Sequence, residues 1–282
     1  MYKEKLKDAL IKAGASDVGF LTARKFSELS GKITDSTCFS GVDEGKRLNP
    51  FLVMESAKTI ITYVVSYKSD RFGNISSYAF GKDYHIVLKE IGKVGIDILN
   101  DAGFLGISFA DTGDLPERHL AYLSGLGVIG NNHSLIHPKW GSFVFIGYII
   151  TDCEIAPDSP IDGTCINCGK CLEACPTGSL KSGDFSKCLS FITQKKGKLA
   201  VDEEDLIREN GSIWGCDICQ RVCPHNASTP IAQNPDFSEN LITDLKIPED
   251  ISNREFKAHF GDRAFSWRGK SIIIRNQRIM NK

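Results

Sequence analysis

The chain has 282 residues, enough for one large domain beside a small one, or for two of medium size. With 41% hydrophobic and 24% charged residues it can build an ordinary core, and a net charge of −1 excludes a broadly basic nucleic-acid binder while leaving room for a local basic patch. No apolar run is long enough to cross a bilayer, and the N-terminal residues carry neither an apolar signal core nor a small-residue cleavage site, so a cytoplasmic monomer with no membrane partner is expected.

Residues 1–155 read as an α/β unit. "MYKEKLKDALIKAG" sets Leu6, Leu10 and Ala13 on one helical face and ends at Gly14. "DVGFLTA" follows as a strand. "TIITYVVSY" (59–67) is apolar almost throughout and reads as a strand at the centre of a sheet. Over 83–103 the apolar residues fall at 87, 88, 91, 94, 98 and 99, a helical stripe closed by Gly103. "FLGISFAD" (104–111) returns as a strand. "PERHLAYLSGLGVIG" is a helix running into a glycine-rich turn, and "GSFVFIGYIITD" (141–152) is the closing strand. "APDSPID" (156–162) is linker-like and opens a second unit, 156–230, dominated by cysteines. Residues 231–282 form a tail packing on the core, with "EFKAHFG" as a short helix. After Asp262 this tail carries Arg263, Arg268, Lys270, Arg275, Arg278 and Lys282 and no acidic residue.

Seven of the ten cysteines lie in two runs, "CINCGKCLEACPTG" (165–178) and "CDICQRVCPHN" (216–226). Without an export signal, such clustering points to metal rather than disulfides. The first run is the bacterial ferredoxin pattern C-x2-C-x2-C-x3-C-P, in which three cysteines cap one cubane and the fourth reaches another. Zinc prefers two pairs of ligands, not a run of four. Two four-iron clusters require eight thiolates. Aligned on Cys223-Pro224, the second run puts Cys219 and Cys216 in its third and second places, and Ile213, which cannot bind iron, in its first. The crossed rule gives Cys165, Cys168, Cys171 and Cys223 to one cluster. Cys175, Cys216 and Cys219 go to the other, which is one ligand short. Cys188, Cys153 and Cys38 are the candidates. Cys188 lies between the runs, where loop closure costs least, and is assigned the place. Cys153 reads as a small core residue and Cys38 as a free thiol. An open or three-iron second cluster is the competing arrangement.

Two clusters move electrons to an acceptor, which must sit in residues 1–155. No glycine-rich dinucleotide turn and no phosphate loop occur there, and a flavin leaves no mark to look for. The segments "YAFGKDYHIVL" (78–88), "ADTGDLPERHLAYLSGLGVIGNNHSLI" (110–136), "GSFVFIGYIITD", "KCLSFIT" (187–193) and "WGCDICQRVCPHN" (214–226), in this order, resemble the epoxyqueuosine reductase family. The resemblance spans about 45–275 and is to a short form without the C-terminal helical repeats of many members. It implies an α/β (α+β) architecture: a nitroreductase-like cobalamin-binding domain followed by a two-cluster ferredoxin-like domain. It also implies an oxidoreductase that reduces epoxyqueuosine to queuosine in tRNA. The cobalamin is fed by two 4Fe-4S clusters and an unidentified low-potential electron donor, and the partner is a tRNA anticodon stem-loop. The family also uses the cysteine of "KCLSF" as a cluster ligand, in agreement with the count.

By the same resemblance Asp111 is the proton donor, His85 a pocket residue, Arg47 a contact to the corrin periphery and Ser190 a group approaching the cobalamin. In a corrin-lined, low-dielectric pocket Asp111 would hold a proton near neutrality; otherwise it is a turn or cap residue after a strand. His85 is otherwise a satisfied helix-start histidine, Arg47 a surface cation and Ser190 a turn serine. Gly125, Gly127 and Gly130 either let the backbone approach the corrin or simply form a turn. Lys195, Lys196, Lys198 and the basic tail are candidate phosphate contacts. The chain departs from the family at Gly113-Asp114, usually Ala-Pro, and at Asn131, often lysine. Two other readings therefore stand: a corrinoid reductase of a small electrophile such as an organohalide or another epoxide, and an iron–sulfur electron-transfer protein without a substrate.

Overall fold

The computed structural model describes residues 2–33, 44–111 and 113–282. The principal elements in chain order are α1 (Tyr2–Lys12), β1 (Asp17–Thr22), β2 (Thr59–Ser66), α2 (Tyr84–Asp101), β3 (Gly106–Ala110), α3 (Glu117–Leu123), β4 (Val128–Ile129), β5 (Leu135–Ile136) and β6 (Val144–Thr151). The cysteine-rich part adds α4 (Lys170–Ala174), α5 (Leu189–Gln194), α6 (Val201–Asn210) and α7 (Ile218–Arg221), and the tail adds α8 (Asn253–Phe260) and α9 (Lys270–Met280). Among the described residues no helix is long and apolar enough to cross a membrane.

The main sheet has the order β1-β2-β6-β3, with every neighbouring pair antiparallel. All eight residues of β2 are buried, because both faces of the sheet are covered. On one face Ile61, Tyr63 and Val65 pack with Leu6 and Leu10 of α1 and Leu88 and Ile91 of α2. On the other, Ile60 meets Phe26, Leu115, Leu120 and Tyr148. The apolar run thus marks a central strand, and its neighbours are antiparallel. Tyr63 shows how tightly the helical layer sits. Its hydroxyl donates to the Leu88 carbonyl at 2.6 Å, and a Cβ on Gly147 of β6 would lie 2.3 Å from its ring. Only glycine at 147 leaves room for that ring.

α2 begins where the chain supplies a cap. Asp83 accepts the backbone N–H of His85 at 3.0 Å, and the helix gives way at Gly103, whose φ is 83°. The cap also fixes the direction of the first helical turn, which carries Tyr84 and His85.

The tail is an integral layer. Ile272, Ile273 and Ile274 of α9 pack with Ile75, Phe80 and Trp214, so the tail touches both the sheet unit and the second cysteine run. Each such buried isoleucine contributes roughly 1.5–3 kcal/mol, against about 0.2–1 kcal/mol for an exposed ion pair, so packing rather than charge holds the tail. Asn276, fully buried, adds direction: its Nδ2 donates to the carbonyls of Thr193 (2.7 Å) and Ile213 (2.8 Å). Ile213, the residue standing where the second run lacks a cysteine, is itself 1% exposed in this core.

A second polar clamp joins the cysteine-rich part to the sheet unit. Asp217, 6% exposed, accepts from the Ser77 backbone N–H (2.7 Å), the Ser77 hydroxyl (2.6 Å) and the Ser76 hydroxyl, with Arg221 at 3.2 Å. Replacing Asp217 with Ala strands these donors. We expect a loss on the order of 3 kcal/mol, read as a lowered midpoint in anaerobic denaturation followed by circular dichroism. An unchanged midpoint would show that the clamp is dispensable.

Candidate cluster and catalytic site

Cys165 and Cys168 lie on the loop entering α4, Cys171 is in its first turn, and Cys175 follows the helix. Gly169 precedes α4 with φ 74°, the left-handed turn that folds the loop back on itself. Cys216 and Cys219 bracket the start of α7, and Cys223 precedes the Pro224 turn. Cys165, Cys168, Cys171 and Cys223 line one cavity of about 300 Å³, counting the space at its mouth. The nine described cysteines are all free thiols. Among the described residues no three His, Cys, Asp or Glu side chains converge on a point that could hold a single metal ion.

The electrostatic neighbours of the thiols fall into the same two sets. Burial raises Cys171 and Cys223. The thiol charges that add to this are Cys223 and Cys165 for Cys171, and Cys165 and Cys168 for Cys223. In the other set burial is again the main cause. It raises Cys188, with Cys175 adding, and pushes Cys216 up to about 12, with Cys188 and Cys175 adding. Cys219 is raised by burial and then by Cys216, Cys188 and Cys175. Cys175 is lowered: burial acts upward, and N–H donors at Leu180, Thr177 and Ser179 with the Thr177 hydroxyl outweigh it. Four crowded thiolates repel one another, and an iron cluster would relieve that repulsion. The donor sets therefore fit two clusters. Cys188 stands with Cys175, Cys216 and Cys219. Cys153 is 1% exposed in the core of the sheet. Cys38 lies outside the described residues.

Asp111 stands just beyond β3 with φ 59°, a left-handed conformation uncommon for a residue with a side chain. Two consecutive residues of α2 meet its carboxylate. The Tyr84 hydroxyl donates to Oδ2 at 2.6 Å, and His85 Nε2 lies 3.4 Å from the same oxygen. On its other side His85 Nδ1 faces Asp83 Oδ1 at 2.8 Å. The Tyr84 ring is stacked on His85 (4.2 Å) and on Phe145 (4.5 Å), which locks both donors in place.

These contacts decide where the proton rests. For Asp111, burial acts upward, but the hydrogen bonds from His85 and Tyr84 and the charges of His85 and Arg118 outweigh it and lower its pKa. For His85, burial acts downward, but hydrogen bonds with Asp111 and Asp83 and their charges raise it to about 9. At neutral pH the proton is on His85 and Asp111 is ionised. The expectation of a protonated Asp111 was for a corrin-lined pocket, and these two donors act against it. Behind Asp111, burial and then the Asp111 charge push Glu117 up to about 8, against the pull of Arg118 and Arg47. Arg47, half-buried, therefore sits within reach of Glu117 rather than being a plain surface cation.

Ser190 lies on α5, two residues after Cys188. Its carbonyl accepts from Gln194 Nε2 at 2.9 Å, and that nitrogen is 3.4 Å from the Tyr78 hydroxyl. The Tyr78 ring lies edge-on to Tyr84 at 6.4 Å. Gln194, Tyr78 and Tyr84 thus lie between the Ser190 carbonyl and Asp111. Tyr84, Glu117 and Arg118 escaped the sequence reading as individuals, although they stand inside the quoted "DYH" and "PERHL" segments. The glycines 125, 127 and 130 face protein: their Cβ positions would meet Ser159, Ile136 and Asn132. They serve the turn. The basic tail is largely spent internally. Arg275 donates to the Lys195 and Gly197 carbonyls, both at 2.7 Å, Lys195 pairs with Glu203, Arg278 with Glu249 and Lys282 with Glu204. Lys196 and Lys198 remain exposed.

Comparison with known proteins agrees with this geometry. A family model for a 4Fe-4S double cluster binding domain matches residues 164–226, and one for epoxyqueuosine reductase (QueG, DUF1730) matches 47–112. Epoxyqueuosine reductase of Bacillus anthracis is 35% identical over 288 residues, covering 93% of this chain and 75% of that protein. The structure of epoxyqueuosine reductase from Streptococcus thermophilus superposes with a TM-score of 0.85 at 33% identity, over 99% of this chain and 80% of the other. A crystal structure of epoxyqueuosine reductase with an epoxyqueuosine-modified tRNA-Tyr stem loop gives 0.86 at 32%, with the same coverage. With two thiol sets, a donor-bound aspartate at a strand end and these similarities along almost its whole length, the chain belongs to the epoxyqueuosine reductase family.

Proposed function

We propose that this chain reduces epoxyqueuosine to queuosine within a tRNA stem-loop, with Asp111 and His85 delivering protons. The overall reaction follows from membership of the family. The observation that supports the site assignment is the relay from the Ser190 carbonyl, two residues after Cys188, through Gln194, Tyr78 and Tyr84 to Asp111, which links the segment of the second thiol set to the acid–base group. Cys165, Cys168, Cys171 and Cys223 hold one 4Fe-4S cluster. Cys175, Cys188, Cys216 and Cys219 hold the other.

The residues present suit a corrin. The Asp111 side chain is 38% exposed and that of His85 29%, so their outer faces are not covered by protein. Arg47, His85 and Ser190 supply polar groups that the amide fringe of such a ring would require. When bound, cobalamin supplies a reducible, strongly nucleophilic metal centre. Removing an epoxide oxygen as water takes two electrons and two protons. The electrons come from a low-potential donor through the clusters. The first proton leaves His85 Nε2, passes by way of Asp111 Oδ2 to the oxygen of the opened epoxide, and solvent reprotonates His85 to supply the second. Asp83 keeps the imidazole oriented, and Tyr84 holds the carboxylate. The exposed Lys196 and Lys198 are available to phosphates.

The direct test is anaerobic incubation with cobalamin, a strong reductant and tRNA carrying epoxyqueuosine, followed by nucleoside analysis. Conversion to queuosine is expected. An unchanged nucleoside with corrinoid bound and reduced would favour a small electrophile as substrate. Asp111→Asn should lower turnover by roughly 10²–10⁴-fold while both clusters and corrinoid binding persist; full activity would remove the assignment. His85 stays protonated below about pH 9 and loses its proton as pH rises through that value. Single-turnover rates should fall across that range, and His85→Gln should be slower and lack this alkaline limb. Cys188→Ala should retain about half the iron of the native protein; an undiminished complement would place the ligand elsewhere.

A further inference from the structure

One polar group beside the first thiol set has no partner. The turn between β4 and β5 closes through Gly130 N–H to the Ser134 carbonyl and His133 N–H to the Gly130 carbonyl, both at 2.9 Å. Asn132 sits within this turn and is 8% exposed. Its Oδ1 accepts the Ser134 N–H at 3.3 Å, which settles which end of the carboxamide is oxygen. Its Nδ2 is buried and has no hydrogen-bond partner among the described residues. The same side chain lines the cavity of Cys165, Cys168, Cys171 and Cys223. Gly130 makes room for it, since a Cβ there would lie 2.7 Å from Asn132 Oδ1. His225 also lines the cavity, but its Nε2 already faces the Ile166 N–H at 3.5 Å.

A buried amide donor left unpaired is costly, so a structure that retains one beside four thiols implies an acceptor in the cavity. We infer that Asn132 Nδ2 donates an N–H···S hydrogen bond to the cluster held by Cys165, Cys168, Cys171 and Cys223, and so raises its reduction potential. This rests on the cluster assignment proposed above. The reduced cluster carries one more negative charge than the oxidised one, so a donor to its sulfur favours reduction. The effect falls on the cluster nearer solvent. Cys168 is exposed and Ile166 is 58% exposed, which makes this set the one that an external electron donor reaches. Asn132 is a positioning and tuning residue and touches no substrate.

The test is a redox titration of the anaerobic holoprotein followed by electron paramagnetic resonance, with iron content measured alongside. Asn132→Asp keeps the acceptor for Ser134 and removes the donor; Asn132→Leu removes both. In each variant one of the two midpoint potentials should become more negative, by about a tenfold change in the reduction equilibrium, or about 59 mV for one electron, while the other stays. Two unmoved potentials at full iron content would overturn the inference. Should either variant lose iron, the protein carrying ¹⁵N in its asparagine side chains, with Asn131→Ser and Asn167→Gly introduced to remove the other asparagines beside these thiols, decides the matter. Pulsed resonance of the reduced sample should show a ¹⁵N coupling, and its absence would overturn the inference. Failure of the underlying cluster assignment is separate: Cys165→Ala would then keep its full iron.

Discussion

Like charges set the architecture of the cysteine-rich half. In the proposed ligation each cluster gathers four thiolates, and the sulfurs come from sequence positions that no single loop can supply. Cys223 must leave its own run to join Cys165, Cys168 and Cys171. Cys175 must leave its run to join Cys188, Cys216 and Cys219. This exchange forces α4 and α7 together and draws in α5. The remaining contacts make that arrangement permanent. Asp217, between Cys216 and α7, grips Ser76 and Ser77 of the sheet unit. Asn276 of α9 bonds the carbonyls of Thr193 and Ile213, one from each flank of the second set. The tail is therefore as much a part of the electron path's frame as the cysteines themselves.

The catalytic corner follows the same logic of charge and confinement. Burial alone would discharge Asp111, and a lone histidine nearby would titrate near neutrality. Placed 3.4 Å apart, with Tyr84 on one and Asp83 on the other, they hold opposite charges instead. In the proposed mechanism the pair would hold one mobile proton at a point reached from outside. The left-handed backbone at Asp111 aims the carboxylate back toward α2, and aspartate is among the residues that tolerate this conformation.

Much of this was legible in the residues. The unbroken apolar run of β2 announced a doubly covered strand, and the stripe over 87–99 announced α2. Counting thiolates pointed to Cys188, and the fold brings it among Cys175, Cys216 and Cys219. Partners far away in sequence were not legible. Asp217 and Ser76 lie 141 positions apart, and Asn276 and Thr193 lie 83 apart, and nothing local distinguishes these buried polar residues from surface ones. The tail's internal partners were not legible for the same reason: its charges look free until Glu204, Glu249 and the backbone carbonyls are folded against them. The proton on His85 rather than Asp111 depends on Tyr84 and Asp83 arriving together, which only the capped first turn of α2 arranges.

The crossed ligation is most directly tested by an iron-edge anomalous map from crystals grown without oxygen. The account predicts two compact four-iron peaks, one bonded to the sulfurs of Cys165, Cys168, Cys171 and Cys223 and the other to those of Cys175, Cys188, Cys216 and Cys219. A second peak of three irons, or a Cys188 sulfur standing clear of the metal, would contradict it.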